Sequence, residues 1–302
     1  FVGSRGLGDV YKRQSPSHGV ETMGDVAQSS SDPILEVENV TVRRNKTDVI
    51  RDVNLVIHPG EFVGVVGPNG GGKSTLMQTV LGILRPVSGR IKLAGGPPNS
   101  RHAFGKMAWV SQAAAHIPKN IRLTVRELVS LGLLNHNNWF IPGRSTSAQT
   151  DKAIAMVGLS HLADRDVNNL SGGERQRAVI ARALAGEAEF LLLDEPMVGM
   201  DRASRQSLLQ LLDNFCHDHN KTILMISHDV AAMRQTAHRM VYLEEQIWFD
   251  GPPPNFPSVE EIASLRGIQD VHGGHHYDHA AEHCGGADHA TPPQVVVQEE
   301  VE

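Results

Sequence analysis

The sequence predicts an α/β protein: a mixed sheet with an antiparallel β edge layer and an inserted α-helical subdomain. Three observations predict it. Short continuous apolar runs, the pattern of strands buried on both faces, alternate with helical patterns. Two segments near residue 50 alternate with period two, as half-buried strands do. One stretch, 113–170, has no such runs and is assigned to a helical subdomain.

Taken in order, residues 1–32 run through Gly3, Ser4, Gly6, Gly8 and Ser15 to Ser29-Ser30-Ser31, and are expected to be disordered. They lack the apolar core of a signal peptide. The first methionine is Met23, so 1–22 are read as extraneous to the native start. The main domain is placed at 33–250. Its half-buried strands are 35–42 (Leu35, Val37, Val40, Val42) and 53–57 (Val53, Leu55, Ile57). Phe62-Val63-Gly64-Val65-Val66 is a buried strand ending in Gly67, with a helix expected from about Lys73. Within 113–170, Thr124 and Glu127 have the spacing of a capping box before an apolar helix face. Further buried strands are read at Phe190-Leu191-Leu192-Leu193 and at 222–226. Gly251-Pro252-Pro253-Pro254 breaks regular structure, and 251–302 forms a C-terminal extension, rich in His, Gly and acids after Gly267.

Composition removes several function classes. The 302 residues are 40% hydrophobic with 29 glycines, enough to bury a substantial core. The net charge is -6, and no cluster of Lys and Arg could follow a phosphate backbone, so nucleic acid is not expected as a partner. Cys216 and Cys284 cannot make a disulfide framework. No uncharged apolar run reaches the roughly 18 residues of a membrane span, so a membrane role must come through a partner.

Gly67-Pro68-Asn69-Gly70-Gly71-Gly72-Lys73-Ser74 has the spacing of a phosphate-binding loop between strand and helix. Glycines admit backbone N–H groups to phosphate oxygens, and the helix N-terminus adds partial positive charge. Gly67, Asn69, Gly70, Gly72, Lys73, Ser74 and Thr75 are therefore expected to hold a nucleotide, Lys73 at the β- and γ-phosphates and Ser74 on Mg²⁺. A flexible glycine turn is the ordinary alternative. Leu191-Leu192-Leu193-Asp194-Glu195-Pro196 ends a buried strand in two carboxylates, Asp194 suited to Mg²⁺ and Glu195 to polarising a water. Leu170-Ser171-Gly172-Gly173-Glu174-Arg175-Gln176-Arg177 opens a helix whose first N–H groups could face an anion.

In these motifs and their order, residues 34–250 resemble the nucleotide-binding subunits of ATP-binding-cassette (ABC) transporters, a P-loop NTPase fold. Residues 170–177 are similar to the family signature, Gln112 to its Q-loop glutamine, Asp201 to its D-loop aspartate and His228 to its switch histidine. The resemblance implies a homodimer that forms with ATP, each nucleotide lying between the phosphate loop of one copy and Ser171 and Gly173 of the other. It implies Glu195, Gln112 and His228 as catalytic residues, Ser74, Gln112 and Asp194 around Mg²⁺, and Asp201 at the nucleotide interface. It also implies separate integral-membrane permease subunits, indirectly a substrate-binding protein, and a peripheral position on the cytoplasmic side of a bacterial inner membrane. Two departures are visible: Met197-Val198-Gly199-Met200-Asp201 lacks the common Ser/Thr-rich form of the D-loop, and where the family offers an aromatic ring to adenine, this sequence has Val42-Arg43-Arg44-Asn45. Either Arg44 stacks on the base or both arginines are simply solvated.

The tail 272–289 carries His272, His275, His276, His279, His283 and His289 beside Cys284. His275, His279 and His283 would line one face if helical, a spacing suited to Zn²⁺; a disordered polar tail without function is the alternative. With this tail the chain is similar to the ATPases of zinc/manganese importers, and zinc is favoured as cargo. An ATPase of an exporter or importer for another substrate is the alternative, and a non-transport ABC ATPase a remoter one.

Overall fold

The computed structural model describes residues 32–265 except 102, 104, 119 and 135–143. The chain divides into two compact units, one up to Phe256 and one from Pro257 onward.

The first unit holds two sheets. In the smaller, β1 (Leu35–Arg44) lies between β2 (Thr47–Ile57) and β4 (Ser88–Leu93), antiparallel to both. Leu35, Val37, Val40 and Val42 of β1 are buried, so the predicted alternation slips by one residue between Val37 and Val40. The cause is a bulge: Asn39 and Asp52 both have positive φ (47° each), and the Asn39 N–H donates to Asn54 Oδ1 at 2.9 Å. Short polar side chains that bond to nearby backbone tolerate this conformation.

The larger sheet has the order β5-β6-β7-β3-β8-β9. Here β3 (Phe62–Val66), β5 (Met107–Val110), β6 (Phe190–Asp194), β7 (Thr222–Ile226) and β8 (Arg239–Glu244) are parallel, and β9 (Gln246–Gly251) returns antiparallel on β8. All five residues of β3 and all five of β7 are buried, which explains their unbroken apolar runs. The core is continuous between the sheets: Val37, Leu55 and Leu93 of the small sheet cluster with Val65, Leu192 and Leu224 of the large one, together with Leu76, Met77 and Val80 of α1 (Lys73–Val80).

Between β5 and β6 come α2 (Val125–Ser130), α3 (Arg144–Met156) and α4 (Gly172–Ala185), each packed on the other two. The Thr124–Glu127 capping box is formed, with the Thr124 N–H donating to Glu127 Oε2 at 2.7 Å and the Glu127 N–H to Thr124 Oγ1 at 3.2 Å. Then α5 (Arg202–His219) and α6 (Val230–Thr236) flank β7 in sequence. The unit closes at Phe256, buried edge-on against Tyr242 and Phe249. In the second unit, α7 (Val259–Leu265) follows Ser258, whose N–H donates to Glu261 Oε2 at 2.7 Å. No helix among the described residues is long and apolar enough to cross a membrane.

The order of the parallel strands decides where chemistry can occur. Gln112 follows β5, Glu195 follows β6, His228 follows β7 and Gly67 follows β3. Four neighbouring strands thus deliver their following loops to one edge, the position at which open α/β sheets bind ligands.

Candidate active site

The phosphate loop is shaped from behind. Gly67 has φ +152° and Gly72 φ +94°. A Cβ on Gly67 would lie 2.1 Å from the Leu243 carbonyl oxygen, and one on Gly72 2.4 Å from Ile50 Cγ2. Only glycine fits either place. The Gly71 carbonyl accepts the Glu245 N–H at 3.0 Å, seating the loop on the turn between β8 and β9. Gly72 caps α1 without a side-chain hydrogen bond, which leaves the first N–H groups of the helix for an anion.

Lys73 is buried and donates to the Gly67 and Pro68 carbonyls at 2.9 and 2.8 Å. Burial pulls its ammonium below the ordinary value, opposed by the charges of Glu195 and Asp194. Asp194 moves the other way. Burial and then the Glu195 charge hold its carboxyl above the usual aspartate value, with Lys73 opposing. Glu195 sits in left-handed backbone (φ +50°), unusual for a non-glycine residue. Its N–H donates to the Ile226 carbonyl at 3.0 Å, and its Oε2 lies 2.7 Å from His228 Nδ1. Glu195 is 16% exposed and His228 65%, so the exposed ring orients a sheltered carboxylate.

These groups share one cleft of about 670 Å³. Asn69, Gly70, Gly72, Lys73, Ser74 and Thr75 line it, together with Gln112, Asp194, Glu195 and His228. Gly67 shapes the loop without lining the cleft. The residues fit Mg²⁺: a hydroxyl (Ser74), an amide (Gln112) and a carboxylate (Asp194) are hard oxygen donors lining one cleft.

Arg44 also lines the cleft, whereas Arg43 pairs with Asp48 at 2.6 Å. The two arginines are therefore not equivalent. Val49 and the exposed Val198 line it too. Neither is expected in the cleft from sequence, where the signal is an apolar residue beside a recognised motif.

Ser171, Gly173 and Asp201 do not line this cleft. Ser171 caps α4: its Oγ accepts the Glu174 N–H at 3.3 Å and its N–H donates to Glu174 Oε2 at 2.8 Å. The Ser171 N–H, and after it the Ser171 hydroxyl, hold the Glu174 carboxyl below the usual glutamate value. Asp201 caps α5, accepting the Ser204 N–H at 2.9 Å and hydroxyl at 2.6 Å. A Cβ on Gly173 would meet Ser204 at 2.9 Å, so the two helix starts touch. His275, His279 and His283 lie outside the described residues.

Residues 50–198 match the ABC transporter family. The manganese transport system ATP-binding protein of Halalkalibacterium halodurans is 33% identical over 76% of this chain and 91% of its own length. The zinc uptake system ATP-binding protein of Listeria innocua is 32% identical over 72% and 85%. Among solved structures, cbiO1 of Clostridium perfringens, part of the ABC transporter complex cbiONQ, superposes with a TM-score of 0.69 at 27% identity, over 79% of this chain and 96% of that one. A dimeric ATP-binding cassette in a post-hydrolysis state, bound to ADP and Pi, superposes at 0.60 with 27% identity, over 74% and 100%.

Proposed function

Since the chain belongs to the ATP-binding subunits of ABC transporters, ATP hydrolases that power transport, we propose that it drives import of a divalent metal ion, with zinc before manganese as cargo. Relatives named for manganese and for zinc transport support the metal class, and the histidines of 272–289 favour zinc.

The phosphate loop and the α1 N-terminus bind the β- and γ-phosphates, with Lys73 turning from the Gly67 and Pro68 carbonyls to the nucleotide. Ser74, Gln112 and Asp194 hold Mg²⁺, which when bound neutralises phosphate charge. Glu195, aimed by His228, takes the proton of the attacking water. The observation that carries this reading is that hydrogen bond, within the same cleft as Lys73 and Asp194. Arg44 offers its guanidinium plane to the base. Ser171 and Gly173, unused by their own chain's cleft, meet the γ-phosphate of a second copy, and Asp201 braces that surface through Ser204. The closed dimer is thereby a ligand-dependent state. Permease subunits hold the chain at the cytoplasmic face of the inner membrane.

Purification with its permease in mild detergent tests the cargo. ATP turnover of the reconstituted complex should rise with zinc and the matching substrate-binding protein, and less with manganese. Stimulation by neither metal would overturn the assignment.

A further inference from the structure

A cluster outside the nucleotide cleft carries a second metal reading. Helix α5 puts Asp213 and His217 four residues apart on one face, and His238 reaches them from the segment before β8. Asp213 Oδ1 lies 3.3 Å from His217 Nδ1 and 3.3 Å from His238 Nε2. One ligand atom from each residue falls within 4.8 Å of the other two. Ligands about 2.0–2.2 Å from a tetrahedral ion stand roughly 3.3–3.5 Å apart, so two edges already have that spacing.

We propose that Asp213, His217 and His238 bind Zn²⁺, leaving the fourth position to water. Two imidazoles and one carboxylate suit zinc better than Mg²⁺ or Mn²⁺, which prefer sets richer in oxygen. The site is open to solvent: both histidines are exposed and Asp213 half-buried. Cys216, on the same helix, is buried and is not one of the groups whose ligand atoms converge.

The ordinary reading of the cluster is a hydrogen-bonded set in which His238 Nε2–H donates to Asp213. Supporting that tautomer, His238 Nδ1 accepts the Phe62 N–H at 3.2 Å. Zinc at Nε2 moves the ring proton to Nδ1, where it faces a donor, so the Phe62 bond is lost. The site therefore binds about 10–100-fold more weakly than one with a supporting acceptor, and filling it perturbs the start of β3, the strand that ends at the phosphate loop.

The test is thermal unfolding and bound-zinc stoichiometry of the full-length protein without nucleotide, using ZnCl₂ and MnCl₂. Zinc at about 100 times the Kd should raise the wild-type Tm by about 5–10 °C. His217→Ala, a change at a side chain 63% exposed, should keep the metal-free Tm, bind one zinc fewer and lose that rise; His217→Asn and Asp213→Asn should do the same. Zinc on the C-terminal tail would persist in these variants, so loss of the Asp213–His217–His238 site is distinguished from binding by the tail. Unchanged stoichiometry and an unchanged zinc-induced rise in His217→Ala would overturn the site, leaving a hydrogen-bonded cluster only. An equal rise with manganese would overturn its metal class.

Discussion

The cleft and the surface formed by Ser171, Gly173 and Asp201 are both built at helix N-termini, yet they are finished differently. At the cleft, α1 starts with no side-chain cap, and an inward lysine and two carboxylates surround its approach. At the signature surface both helices are capped by their own side chains, Ser171 with Glu174 and Asp201 with Ser204. The first region leaves the start of α1 without a side-chain partner from its own chain. The second satisfies part of its own need and exposes Ser171 and Gly172 to solvent. On the proposed reading, the difference separates a site that binds from a surface that completes.

The sharpest way to break this division is Glu195→Gln, which should lower turnover by about 10²–10⁴-fold while keeping ATP affinity. Light scattering should then find a dimer with ATP and a monomer without it. Wild-type turnover would remove Glu195 as the base, and a mass indifferent to ATP would remove the dimer. Lys73→Ala should instead weaken ATP binding itself, since it strips the cleft rather than the chemistry.

Ser171→Ala attacks the other region. Turnover should fall by about 10²–10³-fold, the scale for one lost stabilising donor, with ATP affinity of the single chain unchanged by calorimetry. Loss of the α4 cap adds about 1 kcal/mol of destabilisation, which Ser171→Asp should largely restore without restoring turnover. Full turnover in Ser171→Ala would show that the surface completes nothing.

Much of this contrast was legible in the sequence because it is local. The phosphate loop, the start of α1 at Lys73 and the Thr124–Glu127 cap are each set within a few residues. What was not legible depends on distant backbone. Asn39 and Asp52 interrupt the alternation of their strands through a paired bulge. The strand β4 opens with three exposed residues, Ser88, Gly89 and Arg90, and is fixed by its antiparallel pairing with the distant β1. At the site, Arg44 and Arg43 look alike in sequence and part company only when Asp48 claims one of them. His217 could be related to Asp213 by helical spacing, but nothing local brings in His238.

A smaller effect concerns pH. The folded-state pKa of Asp194 is raised by burial and by Glu195, so its contribution to stability is full below the ordinary value of 3.8 and is lost as pH rises through the raised folded value. At pH 7 the ionised carboxylate therefore costs the nucleotide-free fold something. Asp194→Asn should raise stability by about 0.5–1 kcal/mol, discounted for partial exposure, and Tm by about 1–4 °C. The gain should shrink as pH falls toward the ordinary aspartate value, and Mg²⁺-dependent turnover should disappear. A lower Tm at pH 7 would contradict the burial argument.

The smallest effect is expected at the base. Arg44→Ala should weaken ATP binding by only a few-fold, on the scale of one exposed stacking contact of about 0.5–1 kcal/mol, while Arg43→Ala should leave it unchanged. Equal effects would return both arginines to solvent.

The seat of the phosphate loop also sets limits on re-engineering the chain. The tip between β8 and β9 looks like a hairpin end suited to an inserted tag, a split site or new termini. Its Leu243 carbonyl abuts Gly67, however, and its Glu245 N–H holds Gly71 while its carbonyl receives the Arg51 N–H at 2.7 Å. Cutting or lengthening that tip would unseat the nucleotide loop from more than 170 residues away. Circular permutants opened there should lose ATP binding even where both sheets still form.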